Sequence, residues 1–457
     1  MPRSSEGFQW TPMFTTCGLE TDSVVPSTPD SHLRETYDVV IIGAGFTGLV
    51  AGRDLSQAGV NPLVFAEIHR YNLHCRIKTS NGTFAPQVVH YKPAAGAIRD
   101  MTEAALDDAV EKIGSVFFCP DGHTSRELMP YPYEPFREPA LWTKYDHLSI
   151  KDRLNQIEGP QEDKDLFEVL MSSVGSASGH DVGFVEPLRW YALGGHSVTG
   201  MFEIFQTFKL GAGGQTALAR GILGDYKGHL RLGTEITKVD QSPHSVTVTT
   251  KSGSTIRAKY AICTIPLNCL PDITFNPPFS PLRQEAIRRG HMNQGAKFHF
   301  KLRKPEPGWL SIANSYGNSP FMLAFSDHTG TGNNTNSGTY MIGFGHNGHL
   351  GNREDSDHII SALKENMKPG AEVEAYLTHD WVNDPYSKGA WSAWGPGGMS
   401  KYLRELQKCH GRVLMSSADW ANGSRGFVDG AIERGTVAAR DIRQRLGSSA
   451  DGVSSRI

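Results

Sequence analysis

The stretch YDVVIIGAGFTGLVAGRDLSQAGVNPLVFAE, residues 37–67, decides the fold of this chain. Its β-branched run ends in glycines, and the segment that follows has helical spacing and closes at Gly59. The apolar run PLVFAE, residues 62–67, then predicts a second buried strand. Strand, tight turn, helix and strand in this order form the βαβ unit of a dinucleotide-binding domain.

Glycines mark the turn between the first predicted strand and the helix. Gly43 permits the tight turn, Gly45 lets a pyrophosphate approach the backbone, and Gly48 lets the helix pack closely on the strand. The N-terminus of the helix would face the phosphates. We therefore expect Gly43, Ala44, Gly45 and Gly48 to bind a nucleotide cofactor. A glycine-rich turn in an unrelated α/β protein is the alternative.

An acidic residue at the end of the second predicted strand extends this pattern. Glu67 follows Gly43 by 24 positions, near the spacing of about 20 at which a carboxylate accepts the ribose hydroxyls. An acid at this place favours an unphosphorylated ribose, and hence FAD or NAD over NADP. The alternative for Glu67 is a solvated carboxylate at a strand end.

Composition excludes several classes of protein. Among 457 residues, Lys+Arg 45 and Asp+Glu 48 leave a net charge of -3, so no field of one sign attracts nucleic acid or anionic lipid. The longest apolar stretch, residues 39–51, is shorter than the roughly 20 residues of a membrane-spanning helix. The 6 cysteines include no CxxC pair, which favours a reducing compartment and no metal site. We expect a soluble intracellular protein that binds neither nucleic acid nor membrane, and homo-oligomerisation stays open.

Four further blocks lie downstream: CTIPLNCL (263–270), GHMNQGAKFHFKL (290–302), HDWVNDPYSKGAWSAWGPGGM (379–399) and SADWANGSRGFVDGAIERGTVAAR (417–440). With the first block, they make the chain resemble the flavin monoamine oxidase family, especially its soluble fungal branch. The likeness covers most of the chain, and the last two blocks are the most specific. It implies an α/β fold of amine oxidase type, in which an FAD-binding Rossmann-type domain is interleaved with an α+β substrate domain.

The resemblance carries three catalytic roles to this sequence. Lys297, in GAKFH, matches the lysine that holds a water against flavin N5. Trp391, in KGAW, and Phe427, in RGFVDGAI, match two aromatics that face one another before the flavin and confine the amine. Without the resemblance, Lys297 is expected on a surface strand and the two aromatics in the core.

Other residues match positions around the cofactor. Trp381 matches a tryptophan packed by the flavin, Asp419 an acid near the pyrophosphate and ribityl chain, and Val239 a residue whose backbone contacts adenine. A helix beginning near Val428 would point its positive end at the flavin pyrimidine. Some relatives attach the flavin through a cysteine where this chain has Ala390, so the resemblance implies non-covalent FAD.

The implied reaction is the oxidation of an amine to an imine, which hydrolyses to an aldehyde or ketone while oxygen becomes hydrogen peroxide. The implied partners are thus a small-molecule amine and oxygen. A flavin-dependent desaturase or isomerase on the same scaffold is an alternative, and so is an inactive pseudo-oxidase that has lost FAD. The C-terminal Ser455-Arg456-Ile457 is similar to a peroxisomal S-K-L address.

The resemblance is interrupted after Glu67. Relatives continue there with two double-glycine motifs that line the FAD, whereas this chain runs directly into HRYNLHCRIKT, residues 69–79. This predicts a missing block, whose loss would leave polar groups at the cofactor without partners. The domains predicted from the sequence are a flexible leader (1–35), an FAD-binding domain (36–90, 206–275 and 376–447), a substrate domain (91–205 and 276–375) and a flexible tail (448–457).

Overall fold

The computed structural model describes residues 25–57, 64–79, 86–206, 208–211, 213–314, 319–331, 334–353 and 355–454. The strands are β1 (Thr36–Ile42), β2 (Ile77–Thr79), β3 (Val88–Lys92), β4 (Arg99–Met101), β5 (Phe208–Leu210), β6 (Ile236–Gln241), β7 (Val246–Thr250), β8 (Thr255–Cys263), β9 (Thr274–Asn276), β10 (Gly295–Leu302), β11 (Trp309–Ala313), β12 (Phe321–Thr331), β13 (Asn334–His346), β14 (Val373–Thr378) and β15 (Val413–Met415). The α-helices are α1 (Phe46–Ser56), α2 (Val64–Arg70), α3 (Glu103–Phe117), α4 (Ser125–Leu128), α5 (Ile150–Asn155), α6 (Gln161–Ser173), α7 (Val185–Leu193), α8 (Val198–Gln206), α9 (Gly214–Asp225), α10 (Pro281–Arg289), α11 (Ser356–Asn366), α12 (Gly398–Gln407) and α13 (Val428–Ser454).

The first sheet has the strand order β1-β8-β7-β6-β9, with β15 also beside β8. β1 and β8 run parallel, and Ile42 lies opposite Cys263. β6, β7 and β8 are antiparallel neighbours. Among the described residues, β8 is the strand that pairs with β1, so the other edge of β1 carries no neighbour.

The second strand predicted at residues 62–67 is wrong. Residues 64–70 form α2, and residues 61–63 lie outside the described part of the chain. Val64 and Ile68, one helical turn apart, pack in a cluster with Val50 of α1 and Ile432 of α13. A short apolar run fits a strand and a buried helix equally well, and here the packing against two helices decides.

The second sheet has the strand order β14-β10-β13-β12-β11-β3-β4. Its β10 residues Phe298, Phe300 and Leu302 are buried on one face, where they pack with Ile359 and Leu363 of α11. β3 and β14 both belong to this sheet, and the predicted domain boundaries at 90 and 375 fall inside them. The division into domains stays a prediction.

An aromatic cluster lies among helices α3, α6 and α7. Phe117 at the end of α3 lies 4.9 Å from Phe167 of α6 and 5.3 Å from Phe184, which precedes α7, measured between ring centroids. None of the described helices is long and apolar enough to cross a bilayer.

Parts of the predicted leader and tail are ordered among the described residues. Residues 25–35 were expected to be flexible, but Thr28 N donates to Leu230 O at 2.7 Å and Ser27 Oγ accepts from Leu232 N at 3.0 Å. Residues 1–24 lie outside the described residues. α13 continues to Ser454, so residues 448–454 of the predicted tail are helical, and Ser455-Arg456-Ile457 also lies outside the description.

Candidate functional site

The turn between β1 and α1 is open to solvent. Gly43, Ala44 and Gly45 are exposed. Gly43 has a φ of +107°, and a Cβ there would lie 2.4 Å from Thr264 Oγ1, so the turn requires glycine. At Gly45, the N-cap residue of α1, a Cβ would meet no atom within 4 Å. The N-terminus of α1 therefore adjoins open space, as a phosphate-binding helix does.

Close backbone contacts hold α1 in place. A Cβ on Gly48 would lie 2.1 Å from Gly43 O, so any side chain there would collide with the turn. On the other side of α1, a Cβ on Gly435 of α13 would lie 2.7 Å from Thr47 O. These contacts give Gly48 the packing role that its spacing predicts.

Glu67 does not lie at a strand end. It belongs to α2 and is 0% exposed. Its Oε2 accepts a hydrogen bond from Arg53 Nη1, and its Oε1 lies 3.4 Å from Arg70 Nη1. Burial opposes the charge of Arg53, but hydrogen bonds to Glu67 and Tyr71 and the charge of Asp54 outweigh burial and raise its pKa. The predicted placement of Glu67 is wrong because its carboxylate points inward to an arginine.

Lys297 and Trp391 meet through a phenylalanine that the sequence did not single out. Phe344 of β13 lies opposite Lys297 of β10, and opposite residues of paired strands share one face of the sheet. Lys297 Nζ lies 5.5 Å from the Phe344 ring centroid, and the Trp391 ring meets the same ring at 6.3 Å and 83°. Burial lowers the pKa of Lys297.

The segment carrying Trp391 is tied to the start of β10. Ala390 N donates to Asn293 O at 3.3 Å, and Gly389 N donates to Trp381 O at 3.0 Å. Trp391 Nε1 donates to Val174 O at 2.6 Å. Backbone and indole are thus both anchored, so the ring has a defined position beside Phe344.

Phe427 stands at the start of α13, and 38% of it is exposed. Its ring stacks on Phe205 at 5.6 Å and meets Trp190 edge-on at 4.7 Å. A Cβ on the preceding Gly426 would lie 3.3 Å from Trp391 Cβ. The backbone before Phe427 is therefore next to Trp391, while a face-to-face arrangement of the two rings stays a prediction.

Asp419 joins the blocks that the resemblance rests on. Its Oδ2 accepts from Leu267 N at 2.7 Å. Its carbonyl oxygen accepts from Ser392 Oγ at 3.3 Å and from Trp394 Nε1 at 3.2 Å. Asp419 thus links its own segment to the segments that carry Leu267 and Ser392. Its contact with the cofactor stays a prediction.

The remaining predicted residues lie on different elements. Val239 is fully buried at the centre of β6, with β7 and β9 on its two sides. Trp381 is 46% exposed and meets the His379 ring edge-on at 4.3 Å. Val428 is the first residue of α13. Their roles toward a flavin stay predictions.

Comparison with known proteins decides the family. The sequence pattern described as flavin containing amine oxidoreductase matches residues 61–443. The chain is 30% identical over 452 residues to pseudooxynicotine dehydrogenase of a Pseudomonas species, covering 92% of this chain and 88% of that one. The chain belongs to the flavin-containing amine oxidoreductase family.

Other members of the amine oxidoreductase family are also similar. Nicotine dehydrogenase of Pseudomonas putida is 26% identical over 90% of this chain and 89% of its own length. Dog amine oxidase B is 23% identical over 90% of this chain and 86% of its own length. Putrescine oxidase bound to putrescine superposes with a TM-score of 0.72 at 17% identity, covering 90% of this chain and 99% of that one. The predicted family and fold are confirmed, whereas the fungal branch and the missing block stay predictions.

FAD is the cofactor of the amine oxidoreductase family, and the described residues fit it. The open N-terminus of α1 beyond Gly45 suits a pyrophosphate. The exposed rings of Trp381 and Phe427 offer apolar surface that a planar ring system would cover. Ala390 carries no thiol, and non-covalent attachment of the FAD stays a prediction.

Two residues of the sheet around Lys297, Phe344 and His299, were not predicted from the sequence. His299 follows Lys297 by two positions on β10. Alternation along a strand places such residues on one face. That signal was present in GAKFHFKL, but the partner strand that supplies Phe344 could be found only from the sheet register.

Proposed function

We propose that this protein oxidises an amine to an imine with FAD and oxygen, releasing hydrogen peroxide. The observation that carries the proposal is the cluster of Lys297, Phe344 and Trp391, which places a lysine with a lowered pKa beside two aromatic rings. A bound FAD would supply the redox chemistry: it would accept a hydride, which is two electrons and one proton, from the α-carbon of the amine, while the nitrogen proton leaves to solvent and oxygen finally takes up two electrons and two protons to give hydrogen peroxide.

The residues of the chain supply binding and orientation. Gly43, Ala44 and Gly45 would hold the pyrophosphate at α1. Trp391 and Phe427 would present ring faces to the amine, and these faces attract a positively charged nitrogen. Because burial disfavours its charge, Lys297 Nζ releases a proton more readily than an exposed lysine does, and a water held there would carry the proton away.

The substrate that we propose is an amine bearing an aromatic group. Rings of Phe344 and Trp391 lie beside Lys297, and aromatic rings pack favourably with one another. Relatives are named for nicotine and pseudooxynicotine. The names of these relatives support the choice of an aromatic amine.

The electron acceptor distinguishes the proposed oxidase from a second candidate function, an amine dehydrogenase. Both relatives named above are called dehydrogenases, and a dehydrogenase would pass its electrons to an acceptor other than oxygen. Oxygen consumption equal to amine consumption, with an equal amount of peroxide, supports the oxidase. Turnover that requires an added electron acceptor supports the dehydrogenase.

The first test is an absorbance spectrum of the purified protein with FAD, recorded from about 300 to 550 nm. The proposal expects flavin bands that bleach when an aromatic amine is added without oxygen and return when air is admitted. Lys297→Met should slow this cycle, whereas Lys301→Met, four positions along β10, should not. Flavin bands that no amine bleaches would contradict the proposed function.

A further inference from the structure

β10 presents polar side chains on one face and apolar side chains on the other. Phe298, Phe300 and Leu302 are buried, so alternation places Lys297 and His299 together on the opposite face. At about 3.4 Å per residue, His299 stands roughly 7 Å along the strand from Lys297. The proposed amine site at Lys297 therefore has a second polar group within reach of one small substrate.

The sheet surface beside Lys297 and His299, called the floor below, is formed by apolar side chains of β13 and β12. Ile342 of β13 lies opposite His299, as Phe344 lies opposite Lys297. On the next strand, Phe325 lies opposite Ile342, and the Phe325 and Phe344 rings are 6.4 Å apart. A ligand on this face would rest on aliphatic and aromatic side chains and find few polar partners apart from the β10 side chains.

An ion pair between Asp327 and Lys209 lies next to this surface. Asp327 of β12 pairs with Lys209 of β5, and Lys209 Nζ also donates to Asp327 O at 3.2 Å. His328 Nδ1 lies 2.7 Å from the other carboxylate oxygen. Although burial alone would raise it, the pKa of Asp327 is lowered to about 2 by the hydrogen bonds from His328 and Lys209. The carboxylate is thus already satisfied and offers no free charge to a second ammonium group.

His299 differs from these neighbours because its ring has no hydrogen-bond partner among the described residues. Its side chain is exposed at this surface. Desolvation by its surroundings and the charge of Lys297 lower the pKa of His299 to about 4. At neutral pH the ring is therefore uncharged, with one N–H donor available to a neutral acceptor.

We propose that His299 is a specificity-determining residue, which donates a hydrogen bond to a carbonyl oxygen or another neutral acceptor of the substrate, roughly 7 Å from the reacting amine. The proposal rests on the proposed function, since the amine end is placed by Lys297. The substrate is then an aromatic amine that also carries a hydrogen-bond acceptor. This acceptor lies either between the amine and the aromatic group or beyond the aromatic group.

The first arm of the test measures binding without turnover. An aryl alkyl ketone without an amine and the matching alkylbenzene are titrated into the FAD-loaded protein, and tryptophan fluorescence reports the Kd. We expect the ketone to bind about tenfold more tightly than the hydrocarbon, as one added hydrogen bond allows. His299→Phe should reduce this ratio to about one, and His299→Gln, which keeps an N–H donor, should restore part of it.

Lys301→Met is the matched control on the same strand. Lys301 Nζ is held by Glu374 Oε1 at 2.8 Å, so its loss should leave the ketone preference unchanged. An equal ketone preference in the wild-type protein and in His299→Phe would overturn the proposal. So would a wild-type protein that binds the ketone no better than the hydrocarbon.

The second arm uses two secondary amines that differ only in a ketone or a methylene next to the aromatic ring. For the ketone amine, His299→Phe should raise KM about tenfold with little change in kcat. For the methylene amine, both parameters should stay as in the wild-type protein. If neither amine bleaches the flavin, the proposed function fails, whereas the ketone titration still tests His299 by itself.

Discussion

Arg53 Nη1 donates a hydrogen bond to Glu67 Oε2 in the protein interior, where both side chains are buried. Asp54 Oδ1 lies 2.8 Å from Arg53 Nη2, and Thr436 Oγ1 donates to Asp54 Oδ2 at 3.1 Å. The acid expected at a ribose thus binds α2 to α1, and Asp54 extends the network to α13.

Glu67→Ala should lower the free energy of unfolding of the FAD-free protein by about 3 kcal/mol, because it leaves the buried Arg53 with too little negative charge. Urea denaturation measures the change. Arg70→Ala is the control, since Arg70 is partly exposed and its loss should cost less than about 1 kcal/mol. A stable Glu67→Ala protein that has lost only FAD affinity would instead support the ribose role.

Substitutions at two glycines of the turn should separate FAD binding from packing. At Gly45 a Cβ meets no protein atom, so Gly45→Ala should change the free energy of unfolding by about 1 kcal/mol at most. It should nevertheless weaken FAD binding at least about tenfold, because the methyl group occupies the space next to the α1 amides. Fluorescence titration of FAD measures this loss.

Gly48→Ala should affect both properties, since its Cβ would lie 2.1 Å from Gly43 O. We expect a loss of about 2 kcal/mol in unfolding free energy, in the range of overpacked sites, together with weaker FAD binding. Unchanged FAD binding in Gly45→Ala would show that the open space at Gly45 is not where the cofactor lies.

Lys297→Met should stabilise the protein while it slows amine oxidation. Burial lowers the pKa of Lys297, so the folded state holds this proton less tightly than the unfolded chain, and the charge costs stability below the folded pKa. Removing it should raise the unfolding free energy by about 1 kcal/mol and slow turnover at least about tenfold. Lys301→Met, which breaks an ion pair with Glu374, should show neither effect, and a destabilised Lys297→Met protein would contradict the assignment.

Asp327 should make stability fall in acid. Its folded pKa of about 2 lies below the ordinary 3.8, so the folded state favours the ionised carboxylate. The contribution is complete above about pH 4 and is lost as the pH falls through the folded value. At pH 7 it amounts to about 2 kcal/mol. Unfolding by urea from pH 7 to pH 2 should therefore show an acid loss in the wild-type protein that is smaller by this amount in Asp327→Asn.

Local signals account for the parts of the fold that sequence analysis predicted. The β-branched run and the glycines at 43, 45 and 48 specify β1, its turn and α1, because each requirement concerns neighbouring residues. At the candidate site, the motifs identified Lys297 and Trp391, and the structure brings both to Phe344.

Sequence by itself determined the family, the βαβ start as far as α1, and the strand that carries Lys297, because these depend on short patterns. Only the tertiary structure decided that residues 64–70 form a helix, that Glu67 pairs with Arg53, and that Asp327 pairs with Lys209 across 118 positions. The reason is physical: an apolar run or a carboxylate is compatible with several partners, and the partner is chosen by burial and charge among segments that are distant in the chain.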